Sequence, residues 1–142
     1  LKCAFSRGTP MFGICLGTQI VLSHSDEGDT ECLGLIEGSC PRLELHSPSL
    51  KVPHMGWDSL RIVKPHHMLK DVQEGDEFYF VHSYFPQPHD EAHVLALCEY
   101  EITFPAVIGC RNLLATQFHP EKSGRPGLSM LKNFCTWDGT SC

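Results

Sequence analysis

The sequence predicts an α/β domain built on a mixed sheet flanked by helices, and three observations carry that prediction. An apolar stretch at residues 9–14, TPMFGI, runs directly into a stretch with helical apolar spacing, LGTQIVLSHS. Several β-patterned segments follow, separated by Gly and Pro, and an amphipathic stretch, LSMLKNFCTW, closes the chain. A helix after the first strand, followed by many strands, fits an α/β sheet with an antiparallel portion. At 142 residues the chain has the length of one domain and can bury a sizeable core.

The elements are justified in order. LKCAFSRG reads as the tail of a helix closed by Gly8. Residues 9–14 read as a short buried strand, with Pro10 at its start, where a missing N–H does least harm. A helix is predicted over 16–25, ended by the polar cluster DEGDT. Residues 32–45 predict one or two strands broken by Gly38 and Pro41, and 51–63 an irregular turn and a strand. HHMLKDV holds at most two helical turns. EFYFVHSY, 77–84, alternates cleanly, with Phe78, Phe80, His82 and Tyr84 on one face and Tyr79, Val81 and Ser83 on the other. VLALCEYE and PAVIGCRNLLATQF predict three further strands, the last two joined by a hairpin at Arg111-Asn112. No internal repeat, low-complexity tract or linker interrupts the chain.

Composition narrows the function. A net charge of -6, with 11 scattered basic residues, argues against nucleic acid as a partner, because phosphate backbones call for clustered Lys and Arg. No apolar run approaches the length of a bilayer span, and no basic-then-apolar leader opens the sequence, so no membrane association is expected. The eight cysteines are 3, 15, 32, 40, 98, 110, 135 and 142, and none forms a C-x-x-C pair. Neither a structural zinc site nor a disulfide framework is expected, and most of the thiols should be reduced and at least partly buried. That usage predicts a cytoplasmic protein without a metal. The first residue is Leu1 rather than Met, and upstream sequence is expected to be missing.

G-I-C-L-G, residues 13–17, fits the nucleophile-elbow pattern at a strand-to-helix turn. The nucleophile's backbone is strained there, so glycines on both sides are expected to relieve clashes. A helix N-terminus beneath the sulfur is expected to favour thiolate over thiol. A cysteine in an apolar strand is otherwise core packing, and the pattern alone leaves both readings open. A cysteine nucleophile needs a base, and of nine histidines His119 is the best placed. It follows the strand LLATQF and precedes Pro120-Glu121, whose carboxylate can accept the imidazole N–H and orient the ring. His66 and His67 read as a surface pair, and His24 and His46 as solvated positions. His89 and His93 are four apart, but Pro86 and Pro88 disfavour a helical metal pair.

With the Cys15 elbow and His119-Pro-Glu121 together, the chain resembles the class I (triad) glutamine amidotransferases. Within that superfamily it is most similar to the glutaminase subunits of imidazole glycerol phosphate synthase. GICLGTQ, VPHMGW, YFVHSY and ATQFHPEKSG carry the likeness, in the family's order, over residues 9–124. The resemblance implies a flavodoxin-like fold, with residues 1–142 forming a type 1 amidotransferase domain that lacks its N-terminal part. It implies that Cys15 attacks the side-chain amide of glutamine, that His119 protonates the departing amine and then activates water, and that Glu121 orients His119. No cofactor is implied. Gln19 matches the position that helps hold glutamine. Ser83 and Tyr84 match the segment whose backbone binds the substrate's α-amino and carboxylate groups, and the Leu16 N–H would be an oxyanion donor. The ammonia would pass to a barrel-shaped cyclase subunit, in a heterodimer serving histidine biosynthesis. Trp57 and Lys122 would lie at that interface, Trp57 as an anchor in a Gly-bounded turn.

Two departures from the family pattern stand out. The strands and the oxyanion loop that precede the elbow in the family are absent. If the chain were complete it would be expected to fold poorly and show little activity; a partial sequence is the expected explanation. Asp58 stands where the family usually has Asn, which puts one interface contact in doubt. Two other readings remain open: the glutaminase of another class I enzyme, serving anthranilate, GMP or carbamoyl phosphate synthesis, or an inactive subunit that only binds the barrel partner.

Overall fold

The computed structural model describes residues 1–140; Cys142 lies outside them. Helix α1 (Lys2–Ser6) ends where Gly8 takes φ +77°, and the N–H groups of Gly8 and Thr9 bond back to the carbonyls of Phe5 and Ala4. Strand β1 (Met11–Ile14) leads through Cys15 into α2 (Leu16–Ile20). Three short strands follow, β2 (His24–Ser25), β3 (Thr30–Glu31) and β4 (Gly38–Cys40). Then come β5 (His54–Ser59), β6 (Arg61–Ile62), β7 (Glu77–His82) and β8 (Gln87–Pro88). The last strands are β9 (Val94–Glu99), β10 (Thr103–Cys110) and β11 (Leu113–Thr116), before helix α3 (Gly124–Phe134).

Among the described residues these strands form a five-stranded sheet ordered β1-β11-β10-β9-β6, a four-stranded sheet β3-β2-β4-β8, and a β5-β7 ribbon. In the largest sheet β1 and β11 are parallel and the other neighbours antiparallel, so the sheet is mixed, as predicted. The β10–β11 hairpin turns at Arg111, which takes φ 55°. All four residues of β11 are buried, because its two faces serve two cores. Leu113 and Ala115 pack with Phe5, Val21, Leu22 and Ile36 on the side of α1 and α2. Leu114 packs with Phe78, Phe80, Phe118 and Met130 on the side of α3. Strand β7 keeps the predicted alternation, with Phe78, Phe80 and His82 buried.

The structure corrects the sequence reading at several points. Helix α2 spans five residues rather than ten. The carbonyls of Ile20, Val21, Leu22 and Ser23 accept N–H groups from residues 32–36, so a neighbouring loop replaces the next helical turn. Gly38 begins a strand instead of breaking one; its φ of +156° and a Cβ position 2.5 Å from the Gln87 carbonyl oxygen explain the glycine. His66 is buried rather than on the surface, edge-on to Trp137 with Nδ1 accepting the Met68 N–H. Trp57 lies on β5, not in a turn.

Seven cysteines fall within the described residues, all as free thiols. Cys40 and Cys98 are buried, and burial pushes both thiols up to about 12. Among the described residues no cluster of three His, Cys, Asp or Glu side chains is arranged to hold a metal, and no helix is long and apolar enough to cross a membrane.

Candidate active site

Parallel pairing brings the two halves of the site together. β1 and β11 are neighbours in register, Ile14 beside Thr116, and both run toward the same sheet edge. The residue after β1 is Cys15, and the loop after β11 carries Gln117 and His119. Cys15 and Gln117, 102 apart in sequence, therefore meet at the carboxyl ends of adjacent strands, where open α/β sheets bind ligands. The Cys15 N–H continues the ladder, donating to the Thr116 carbonyl at 2.8 Å.

Cys15 takes φ 50° and ψ -99°, a conformation that costs a non-glycine residue about 1 to 3 kcal/mol. This is the sharp strand-to-helix turn expected of the elbow. Only one of its two glycines is sterically required. A Cβ on Gly13 would lie 2.9 Å from backbone atoms of Gly17 and 3.0 Å from the Ala115 Cβ, whereas one on Gly17 would meet nothing within 4 Å. Gly13→Ala is therefore expected to lower stability by about 1 to 3 kcal/mol in urea titrations. Gly17→Ala, in a helix, is expected to be neutral or to raise it by up to about 1 kcal/mol.

The sulfur does not sit as a ready thiolate. Burial pushes the Cys15 thiol up from its ordinary value, outweighing the hydrogen bond from the Leu16 N–H; the Glu121 charge raises it further, while Lys122 and Gln117 lower it. The expected net gain from the helix end is thus overturned, since desolvation exceeds what one N–H at the start of a five-residue helix supplies. Alkylation of Cys15 by iodoacetamide, followed by peptide mass spectrometry, is expected to quicken about tenfold per pH unit between about pH 7 and about pH 8.5. A pH-independent rate would contradict a raised thiol.

His119 is held tightly. Its N–H donates to the Tyr79 carbonyl at 2.9 Å, tying the loop to β7. Ser123, which is buried, donates its hydroxyl to the His119 carbonyl at 2.6 Å and accepts the Tyr79 N–H at 3.0 Å. The His119 Nδ1–H donates to Glu121 Oε1 at 2.7 Å, which leaves Nε2 as the basic nitrogen. Pro120, Glu121 and Lys122 form a single tight turn, so ring and carboxylate sit on one rigid segment.

A pocket of about 340 Å³ opens beside the elbow, lined by Cys15, Leu16, Gln19, Ser83 and Tyr84 together with Glu27, Pro53, Val81 and His82. Every substrate-binding residue named from sequence thus shares one cavity with the cysteine. His119 and Glu121 lie outside this lining. Gln19 is buried, and its amide nitrogen donates to the Tyr84 carbonyl at 3.2 Å and to Gln117 Oε1 at 3.4 Å. Gln117 in turn donates to Cys15 Sγ at 3.8 Å. Gln117 and Ser123 escaped the sequence reading, although both lie inside ATQFHPEKSG, because nothing in residue type or spacing separates a brace from a solvated side chain.

Trp57 and Lys122 lie apart from the pocket, on one patch. Trp57 is 51% exposed and its ring lies 5.7 Å from that of Tyr79, over which Lys122 Nζ sits at 6.0 Å. Met55, two residues along the same face of β5, is 63% exposed.

The family description "Glutamine amidotransferase class-I" matches residues 1–137. The chain belongs to that family. It is 46% identical over 140 residues to the imidazole glycerol phosphate synthase subunit HisH of Dechloromonas aromatica (strain RCB), covering 94% of this chain and 65% of that relative. It is 47% identical over 139 residues to the subunit of the same name in Nitratidesulfovibrio vulgaris (strain DSM 19637 / Miyazaki F), again covering 94% of this chain and 65% of the relative. The chain thus spans just under two thirds of the length of these relatives. Among solved structures it resembles a protein described as a putative GMP synthase subunit from Thermoplasma acidophilum, with TM-score 0.67, 17% identity and coverage of 95% of this chain and 60% of the other. A second, described as a glutamine amidotransferase, has TM-score 0.60 and 20% identity over 94% of this chain and 66% of that one. Both likenesses show a shared fold, in keeping with the mixed α/β architecture that the sequence predicted.

Proposed function

We propose that residues 1–142 are part of a type 1 amidotransferase domain that hydrolyses glutamine through Cys15, His119 and Glu121 and passes the ammonia to the cyclase subunit of imidazole glycerol phosphate synthase. One observation supports the chemistry best: the elbow cysteine ends β1, while the loop after the parallel neighbour β11 carries a His119–Glu121 pair bonded at 2.7 Å. The relatives named above supply the pathway. Their HisH name, at 46% and 47% identity, favours histidine biosynthesis over the other class I enzymes.

Because the resting thiol is held protonated, the base must act as substrate arrives. His119 Nε2 takes the Cys15 proton as the sulfur forms a bond to the amide carbon of glutamine, and the Leu16 N–H stabilises the developing oxyanion. The imidazolium, held by Glu121, returns that proton to the leaving amine, so ammonia departs and a γ-glutamyl thioester remains. His119 then deprotonates water, which attacks the thioester and releases glutamate and the thiol. Ser83 and Tyr84 present backbone groups to the substrate's α-amino and carboxylate ends, while Gln19 braces that wall. The free thiols fit a reducing compartment, the cytoplasm.

The Met55, Trp57 and Lys122 patch is the proposed docking face for the cyclase, with Trp57 as anchor. The test is to mix the protein with the cyclase, in the presence of the cyclase's ribotide ligand, and to measure glutamate release. Stimulated turnover supports the reading. Stimulation only by a partner from another class I enzyme would reassign the pathway, and binding without turnover would reduce the protein to a docking subunit.

A further inference from the structure

Three side chains, among them the pocket-lining His82, form a largely buried chain that the chemistry above does not use. His54 Nε2 faces Asp58 Oδ2 at 2.7 Å, His54 Nδ1 faces His82 Nε2 at 3.1 Å, and His82 Nδ1 faces the Tyr84 carbonyl oxygen at 2.9 Å. Both imidazoles are almost wholly enclosed, and His54 is stacked between Phe80 and Tyr100. The chain runs from half-exposed Asp58 on β5 to the Tyr84 carbonyl, which also accepts from Gln19.

The two ends impose a conflict. A carbonyl only accepts, so His82 must donate from Nδ1, which leaves its Nε2 a lone pair when the ring is neutral. An ionised carboxylate also only accepts, so His54 must donate from Nε2, which leaves its Nδ1 a lone pair. Two lone pairs then face each other across 3.1 Å. Three contacts need three protons, and two neutral imidazoles bring two. The charge-assisted bond to Asp58 is the strongest of the three, so it keeps its proton.

We propose that Asp58, His54 and His82 form a proton-directed positioning chain for the glutamine pocket: ionised Asp58 draws the His54 proton outward, His82 divides its own proton between His54 and the Tyr84 carbonyl, and the pocket wall is correspondingly loosened. A third proton completes all three bonds and tightens the wall, so glutamine is bound better at lower pH. The titratable groups facing His54 are His82 on β7, Asp58 on its own strand and the Tyr100 phenol stacked on it; the Cys98 thiol of β9 lies near enough to feel Asp58. The phenol exchanges hydrogen bonds with the Lys51 backbone, and the thiol stays neutral because burial holds it up at about 12. Burial lowers His54 and takes His82 down to about 4, so the third proton arrives only below the ordinary imidazole range.

The catalytic consequence rests on the proposed glutaminase reading; the proton arrangement does not. The decisive variant is Asp58→Asn, because an amide can donate to His54 Nε2 and turn the whole chain around without an added proton. Long-range imidazole 1H–15N correlation spectra at about pH 7.5 are expected to show His54 as the Nε2–H tautomer in the native protein and as the Nδ1–H tautomer in Asp58→Asn. Asp58→Ala removes the outer acceptor and is expected to give the Nδ1–H form as well. In kinetics, Asp58→Asn is expected to lower KM for glutamine about fivefold near neutral pH, the worth of one ordinary buried hydrogen bond, with kcat little changed and the gap narrowing only as the pH falls toward about 4. The same His54 tautomer in all three proteins would overturn the proposal. So would an unchanged KM in a variant whose tautomer has reversed. If no protein turns glutamine over, the glutaminase reading falls, and the tautomers alone decide the chain.

Discussion

Cys15→Ala is expected to lower glutamine hydrolysis by at least about a thousandfold while leaving the fold and partner binding intact, because removing one member of a nucleophile–base unit forfeits nearly all that the unit contributes. The structural cost should be small. Cys15 is only half-buried, its sulfur makes two weak contacts, to the Val81 carbonyl at 3.9 Å and from Gln117 at 3.8 Å, and alanine preserves the Cβ at the strained turn. The ladder bond to Thr116 uses the backbone and survives the change. Glutamate release with the cyclase and its ligand present measures the loss, and co-purification with the cyclase measures binding. Residual turnover within tenfold of the native rate would remove Cys15 from the reaction. Adding His119→Asn to Cys15→Ala should cost almost nothing more, since the base has no thiol left to deprotonate.

Gly127→Ala is expected to destabilise the protein by about 3 kcal/mol, because overpacking against immobile atoms must displace backbone. A Cβ at Gly127 would stand 2.0 Å from the Pro120 carbonyl oxygen and 2.8 Å from its carbonyl carbon. No rotamer change relieves this, since the obstacle is main chain. Either α3 must move off the sheet, where Phe134 packs on Phe12 at 5.5 Å, or the Pro120–Glu121 turn must shift. The second route pulls Glu121 from His119, so activity should fall along with a midpoint lowered by roughly 10 °C. Leu128→Ala is the control: Leu128, next to Gly127 on the same helix, is 59% exposed, and exposed replacements usually stay within about 0.5 kcal/mol. Equal midpoints for the two variants would show that α3 does not press on the Pro120–Glu121 turn.

What was legible in the sequence was what local pattern and local chemistry decide. The alternation of EFYFVHSY, the Arg111-Asn112 hairpin, the Gly8 stop and the strand-to-helix turn at Cys15 each depend on neighbours a few residues away. His119 and Glu121 were legible for the same reason, since two residues and one proline determine how they meet. Other features depended on distant partners. α2 stops at Ile20 because residues 32–36 claim its carbonyls, and His66 is buried because Trp137 covers it. The Cys15 thiol is raised because burial outweighs the hydrogen bond from Leu16, a balance no spacing encodes. The Asp58–His54–His82 chain appears only when β5 pairs with β7 and sets His54 opposite His82. Local pattern was enough for the β7 alternation, the Arg111 turn and the strand-to-helix elbow at Cys15. Tertiary structure alone decided which groups lose water and which lone pairs face one another, because desolvation and proton sharing depend on what lies across a few ångströms of space rather than a few residues of chain.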